Sequence, residues 1–172
     1  MQDINTLVTF SSRTGATEKL ALAAALGAVQ ARAFIRLRWL REDVDDRTID
    51  GVPEWRENRD RMAREYIAPR EIDFLWADVL LLGMPARDGE SSPEWKTYLD
   101  GLNVLQSTGK LHGKVGTAFT AGNDSALVSL CSVLEGLDLI LVPPGVAESA
   151  LLHGREVTEA ARSLKQSARQ TL

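Results

Sequence analysis

The chain has 172 residues, 44% of them apolar and 26% charged, with a net charge of −4. That length is enough for one domain with a sizeable core, and the balance of apolar and charged residues excludes wholesale disorder. A mildly acidic chain without a concentrated basic face excludes a nucleic-acid footprint, so no nucleic-acid partner is expected.

The run Ile4 to Phe10 is apolar with two threonines, leads into serines and a glycine, and reads as a buried strand. From Ala16 to Gln30 alanine and leucine dominate with charges early, which is helix chemistry. Leu20, Ala23, Ala24 and Gly27 share one helical face and are expected to pack on a sheet. Ala33 to Leu37 alternates Phe34 and Arg36 with Ile35 and Leu37, a second strand. Arg32, Arg36, Arg38 and Arg41 read as the solvated face or edge of that strand.

Residues 42–71 carry dense charge of both signs and read as an elaborated connection within a single domain spanning 1–172. Within this insert Pro53 to Tyr66 is expected to be a solvated helix with Pro53 in its first turn. Asp43, Asp45 and Asp46 are assigned to a solvated loop. Val79 to Gly83 is a continuous apolar run, as in a central parallel strand covered on both faces. A helix over Ser92 to Leu105, a strand over Val115 to Phe119 and a helix over Ser125 to Leu134 follow. Leu139 to Val142 is a fifth strand, closed by Pro143-Pro144-Gly145, and Glu156 to Gln170 a final helix.

Cys131 is the lone cysteine, which excludes an intramolecular disulfide framework and fits a reducing compartment; its apolar surroundings mark a buried structural thiol. Met1-Gln2-Asp3 lacks the basic flank and long apolar run of a signal peptide, and no stretch approaches a membrane span, so a cytoplasmic location is expected. His112 and His153 are far apart and no Cys or His cluster has metal-ligand spacing, so no metal is expected.

Strands alternating with helices imply a parallel sheet with right-handed crossovers. Ligands bind such sheets beyond the carboxyl ends of the strands, which is where Ser11–Thr17, Met84–Glu90 and Thr120–Ser125 fall. The first loop, Ser11-Ser12-Arg13-Thr14-Gly15-Ala16-Thr17, lies between a strand and a helix. Hydroxyls and backbone N–H groups at a helix N-terminus form an anion site, and Gly15 lets the backbone approach closely. Arg13 adds a formal positive charge. A capped turn would also use Ser and Thr, but four hydroxyls around one glycine exceed what a cap requires. No Gly-Lys-Ser/Thr follows, and two of the three dinucleotide-fingerprint glycines are missing.

The segment Ser12-Arg13-Thr14-Gly15-Ala16-Thr17 has the spacing of the flavodoxin phosphate loop, Thr/Ser-x-Thr-Gly-x-Thr. The resemblance extends along the chain: Ser12 to Leu22; Ala77-Asp78, then Gly83-Met84-Pro85-Ala86-Arg87-Asp88-Gly89 on to Tyr98-Leu99-Asp100; and Gly109 to Gly116 with Phe119-Thr120. In these stretches the chain resembles the WrbA-type flavoproteins, FMN-dependent NAD(P)H:quinone oxidoreductases of the flavodoxin superfamily. The resemblance implies a flavodoxin-like α/β three-layer sandwich with a five-stranded parallel sheet in the order 2-1-3-4-5.

It also implies that Ser11, Ser12, Arg13, Thr14, Gly15, Ala16 and Thr17 hold the FMN phosphate. Pro85, Ala86, Arg87, Asp88 and Gly89 would then lie along one side of the flavin ring, and Thr120, Ala121, Gly122 and Asn123 along the other. The flavin does the redox chemistry, so no catalytic side chain is expected. NAD(P)H and quinone-like molecules are the implied partners, with self-association into a dimer or tetramer. The chain departs from the family where Asp88 replaces an aromatic, where the third loop is short, and where Gln106, Glu135 and Gly136 stand for a tryptophan and paired histidines. None of these departures touches the phosphate loop. Trp95 is the tryptophan best placed beside a flavin, though packing is its expected role. An FMN-binding electron carrier without quinone turnover and a flavin-free scaffold are the alternative readings.

Overall fold

The structure, a computed structural model, describes residues 3–85, 92–122, 124–144 and 149–170. In chain order it holds β1 (Ile4–Phe10), α1 (Ala16–Gln30), β2 (Ala33–Trp39), α2 (Asp46–Asp50), α3 (Trp55–Glu65), α4 (Glu71–Trp76), β3 (Val79–Met84), α5 (Pro93–Ser107), β4 (Val115–Thr120), α6 (Asp124–Glu135), β5 (Ile140–Leu141) and α7 (Ala150–Gln170). The strands form one parallel sheet in the order β2-β1-β3-β4-β5.

Two-residue alternation divides the core between the two faces of the sheet. Ile4, Val8, Phe10, Val79, Leu81, Val115 and Phe119 pack with Ala21, Ala25 and Ala28 of α1 and Val157 and Ala161 of α7. Leu7, Leu80, Leu82, Met84 and Ala118 pack with Trp95, Leu99 and Leu102 of α5 and Leu130 and Leu134 of α6. All six residues of β3 are buried because helices cover both of its faces.

Helices α1 and α7 meet backbone to backbone. A Cβ on Gly27 would lie 1.8 Å from the Leu151 carbonyl oxygen, and one on Gly154 would lie 2.0 Å from that of Ala24. This contact turns the buried face of α1 to Thr17, Ala21, Ala24, Ala25 and Ala28, leaving Leu20 and Ala23 half-buried rather than central as expected. It also explains why α7 begins at Ala150, six residues before the expected start. Gly154 interrupts the helical pattern in sequence but is required by the crossing. At the far edge β5 keeps two paired residues, with Ile140 exposed.

The charged insert contains two helices, α2 and α3, where the sequence reading places one, and α4 begins at its end. Asp45, assigned to a solvated loop, caps α2 by accepting from the Thr48 N–H at 3.0 Å. The arginine reading is corrected as well. Arg32 and Arg41 are exposed, but Arg36 and Arg38 turn inward to Asp73 of α4, whose carboxylate is fully buried. Arg38 donates to it at 2.7 and 2.8 Å, Arg36 at 3.1 Å and the Arg70 N–H at 3.0 Å. Arg36 also stacks on Trp76. Burial pushes the Asp73 carboxyl up, but the Arg38 guanidinium and the Arg70 N–H outweigh it and hold the group below its ordinary value.

Candidate functional site

Register brings the three loop starts together. Phe10 of β1 pairs with Gly83 of β3, Gly83 with Phe119 of β4, and Met84 with Thr120. A Cβ on Gly83 would lie 2.4 Å from the Phe119 ring and 3.2 Å from the Phe10 Cβ, so the two aromatic residues close on the glycine from either side. The segments beginning at Ser11, Pro85 and Ala121 therefore leave the carboxyl edge of three adjacent strands.

The first loop is anchored before it turns. The Ser11 N–H donates to the Gly83 carbonyl at 3.1 Å, and its buried hydroxyl accepts from the Trp95 indole N–H at 2.7 Å. Trp95 thus packs in the core, as expected, and also ties α5 to this loop. The Gly15 N–H donates to the Ser12 hydroxyl oxygen at 3.1 Å, closing the turn, so the Ser12 O–H can itself donate outward. Gly15, at φ +85°, occupies the left-handed region that side chains avoid and serves as the N-cap of α1. Among the described residues no side chain caps this helix. The first-turn N–H groups of Ala16, Thr17 and Glu18 have no intrahelical acceptor by geometry, and they carry the positive end of the helix dipole. Thr17 is buried beside them and Thr14 is exposed.

Arg13 is bound by the insert. Its guanidinium donates to Glu42 at 2.5 and 2.9 Å and lies 4.1 Å above the Trp55 ring of α3. Glu42 balances its charge, so the positive pole of the loop is the helix end rather than this side chain. Glu18 in the first turn of α1 is nearly buried and accepts from Arg61 at 2.5 and 2.8 Å and from the Tyr66 hydroxyl at 2.8 Å. The Arg61 bonds hold its carboxyl below the ordinary value against the opposing effect of burial, and Tyr66 assists. Burial and the neighbouring Glu18 carboxylate push the Tyr66 phenol up.

These insert residues were absent from the sequence reading of the site. Their signal was present in part: Trp55, Asn58, Met62 and Tyr66 recur at helical spacing, and Trp55 and Met62 are buried. Nothing in that spacing indicates which loop the helix meets.

In the second loop Pro85 is half-buried, while Ala86, Arg87, Asp88 and Gly89 lie outside the described residues. Ser92 caps α5 with Pro93 in its first turn. In the third loop the buried Thr120 hydroxyl donates to the Met84 carbonyl at 3.0 Å and accepts from the Gly122 N–H at 3.1 Å. Thr120 therefore braces one loop against the next, with Ala121 half-buried, Gly122 exposed and Asn123 outside the described residues. Cys131 is half-buried, and burial pushes its thiol up, away from the reactive thiolate. Among the described residues no group of three or more His, Cys, Asp or Glu is placed to hold a metal ion, and no helix is long and apolar enough to cross a membrane.

A helix end without a side-chain cap, a left-handed glycine and three hydroxyls form a donor set that fits a phosphate. Comparison with known proteins bears on what carries it. No family model matches the chain. It is 30% identical over 147 residues to an NAD(P)H dehydrogenase (quinone) of Archaeoglobus fulgidus, covering 80% of this chain and 76% of that one. A protein of the same name from Deinococcus radiodurans is 27% identical over 177 residues, covering 96% and 88% of the respective chains. The crystal structure of a WrbA-like flavodoxin from Agrobacterium tumefaciens superposes with a TM-score of 0.67 at 21% identity, over 93% of this chain and 98% of that one. The fold is flavodoxin-like.

Proposed function

The chain belongs to the WrbA-type NAD(P)H dehydrogenase (quinone) family, and from that membership we propose that it is an FMN-dependent oxidoreductase passing reducing equivalents from NAD(P)H to a quinone-like acceptor. The observation that carries the reading is the uncapped N-terminus of α1, set by Gly15 at the carboxyl edge of the sheet. The N–H groups of Ala16, Thr17 and Glu18 and the hydroxyls of Ser12, Thr14 and Thr17 would hold the flavin phosphate. Residues Pro85 to Gly89 and Thr120 to Asn123 would flank the ring, with Thr120 holding the two segments in register. Bound flavin supplies the hydride-accepting and hydride-releasing chemistry, and the protein binds, orients and shields it. The reading assigns no catalytic side chain. It includes a homodimer or tetramer, and a cytoplasmic location that agrees with a single, half-buried thiol.

The test is flavin content and affinity, followed by turnover. The purified protein is expected to bind FMN more tightly than riboflavin by calorimetry. The Thr14→Val/Thr17→Val variant should lose about 1–3 kcal/mol of FMN affinity with little change for riboflavin. Equal affinity for the two flavins would refute the phosphate site. NAD(P)H oxidation that depends on benzoquinone would support the enzyme; flavin binding without it would leave an electron carrier, and no flavin binding a scaffold. Sedimentation showing only monomer at micromolar concentration would remove the self-association.

A further inference from the structure

The proposed phosphate site contains an unexpected charge: Glu18, an acid in the first turn of the helix whose N-terminus would face the phosphate. The carboxylate is nearly buried, with 6% of its side chain exposed, and it folds back over the N-cap. Its Oε2 lies 3.8 Å from the position of a Cβ on Gly15, and Asn58 Oδ1 lies 3.7 Å from the same point. Left alone, such a charge would oppose a phosphate dianion at the same helix end. It is not left alone. Arg61 Nη2 reaches Glu18 Oε2 at 2.5 Å and Asn58 Oδ1 at 3.4 Å, and Arg61 Nη1 reaches Glu18 Oε1 at 2.8 Å. Both Asn58 and Arg61 come from α3, in the charged insert.

We propose that Arg61 is a positioning residue for the flavin phosphate: from the insert it neutralises Glu18, fixes the first turn of α1, and so makes phosphate affinity depend on docking of α3. The inference deepens the proposed FMN reading and rests on it. The groups facing Glu18 are the cationic Arg61 from α3, the neutral Tyr66 phenol just beyond α3 and the cationic Lys19 on its own helix. Arg61 is the one that contacts both carboxylate oxygens. Glu65 shares Arg61 at 2.7 Å, and Arg13, a second cation near the loop, is already matched by Glu42. With Arg61 removed, Glu18 would keep its burial and its place near the phosphate while losing its main counter-charge.

The test compares FMN with riboflavin, which lacks only the phosphate, in four proteins: unsubstituted, Arg61→Gln, Arg61→Lys and Glu18→Gln/Arg61→Gln. Dissociation constants are read by calorimetry or by quenching of flavin fluorescence. Arg61→Gln is expected to weaken FMN roughly tenfold, the order of one poorly screened charge interaction, with riboflavin unchanged. Arg61→Lys should recover part of the loss and the double variant most of it, since neither leaves Glu18 as an uncompensated charge. An unchanged ratio of FMN to riboflavin affinity in Arg61→Gln would overturn the inference. So would an equal loss for both flavins, or no recovery in the double variant, because each marks a structural role rather than charge control at the phosphate. Equal affinities for the two flavins in the unsubstituted protein would instead overturn the phosphate site itself, and this inference with it.

Discussion

Among the described residues three glycines, Gly27, Gly101 and Gly154, lie inside helices, and replacing each with alanine is expected to stabilise the protein at one and destabilise it at the other two. In a helix interior, Gly→Ala contributes about 1 kcal/mol of stability through lower backbone entropy in the unfolded chain. At Gly101 in α5 a Cβ would meet nothing within 4 Å, so Gly101→Ala should deliver most of that gain. At Gly27 the added carbon would lie 1.8 Å from the Leu151 carbonyl oxygen and 2.8 Å from its carbon. A backbone carbonyl in the first turn of α7 cannot rotate aside as a flexible side chain can, so the helices must separate by roughly 1.5 Å to reach van der Waals distance. Separation also loosens Ala21, Ala25, Val157 and Ala161, which pack on the same face of the sheet. Overpacking costs about 1–3 kcal/mol and sometimes more; with no yielding neighbour, a net loss of about 2 kcal/mol or more is expected for Gly27→Ala and for Gly154→Ala. In a chain of this length, roughly 2–4 °C of melting temperature accompanies each kcal/mol. Urea unfolding followed by tryptophan fluorescence, with flavin held at one concentration because ligand shifts apparent stability, would measure all three. The double Gly27→Ala/Gly154→Ala variant should cost less than the sum of its parts, since the first methyl already separates the helices. If Gly27→Ala and Gly101→Ala shift stability alike, the backbone contact between α1 and α7 is wrong.

Other perturbations test the remaining buried polar contacts. Asp73→Asn should cost about 3 kcal/mol, because it leaves the Arg38 guanidinium partly buried without its counter-ion. Asp73 is held below its ordinary value, so its stabilisation is present above about pH 4 and is lost as pH falls through the lowered folded value. The variant should show a shallower acid limb in stability against pH, and an identical limb would refute the clamp. Trp95→Phe removes the donor to Ser11 and should cost about 1–2 kcal/mol in urea unfolding. It should also weaken FMN measurably in a fluorescence titration; unchanged stability and affinity would show that this bond does not seat the loop.

Local chemistry carried much of the fold. The apolar run of β3 and the switch from strand to alanine-rich helix after Phe10 are properties of short windows, and β1 and α1 have the expected bounds. The position of the loop Ser11 to Thr17 between β1 and α1 was legible for the same reason, since hydroxyls and one glycine between an apolar run and an alanine-rich one form a local pattern.

Tertiary structure decided which charges meet. Arg36 and Arg38 look like the solvated residues of an edge strand until α4 brings Asp73 beneath them, 35 residues from Arg38. Arg13 reads as an open positive charge beside the loop, but the fold sets its guanidinium against Glu42 and Trp55, and it brings Arg61 of α3 to Glu18 across 43 residues of sequence. Periodicity describes one element at a time, so it could place a helix inside the charged insert but not the loop that helix covers. Charge pairing acts between elements, and its outcome is set by which side chains the folded backbone brings to within about 3 Å.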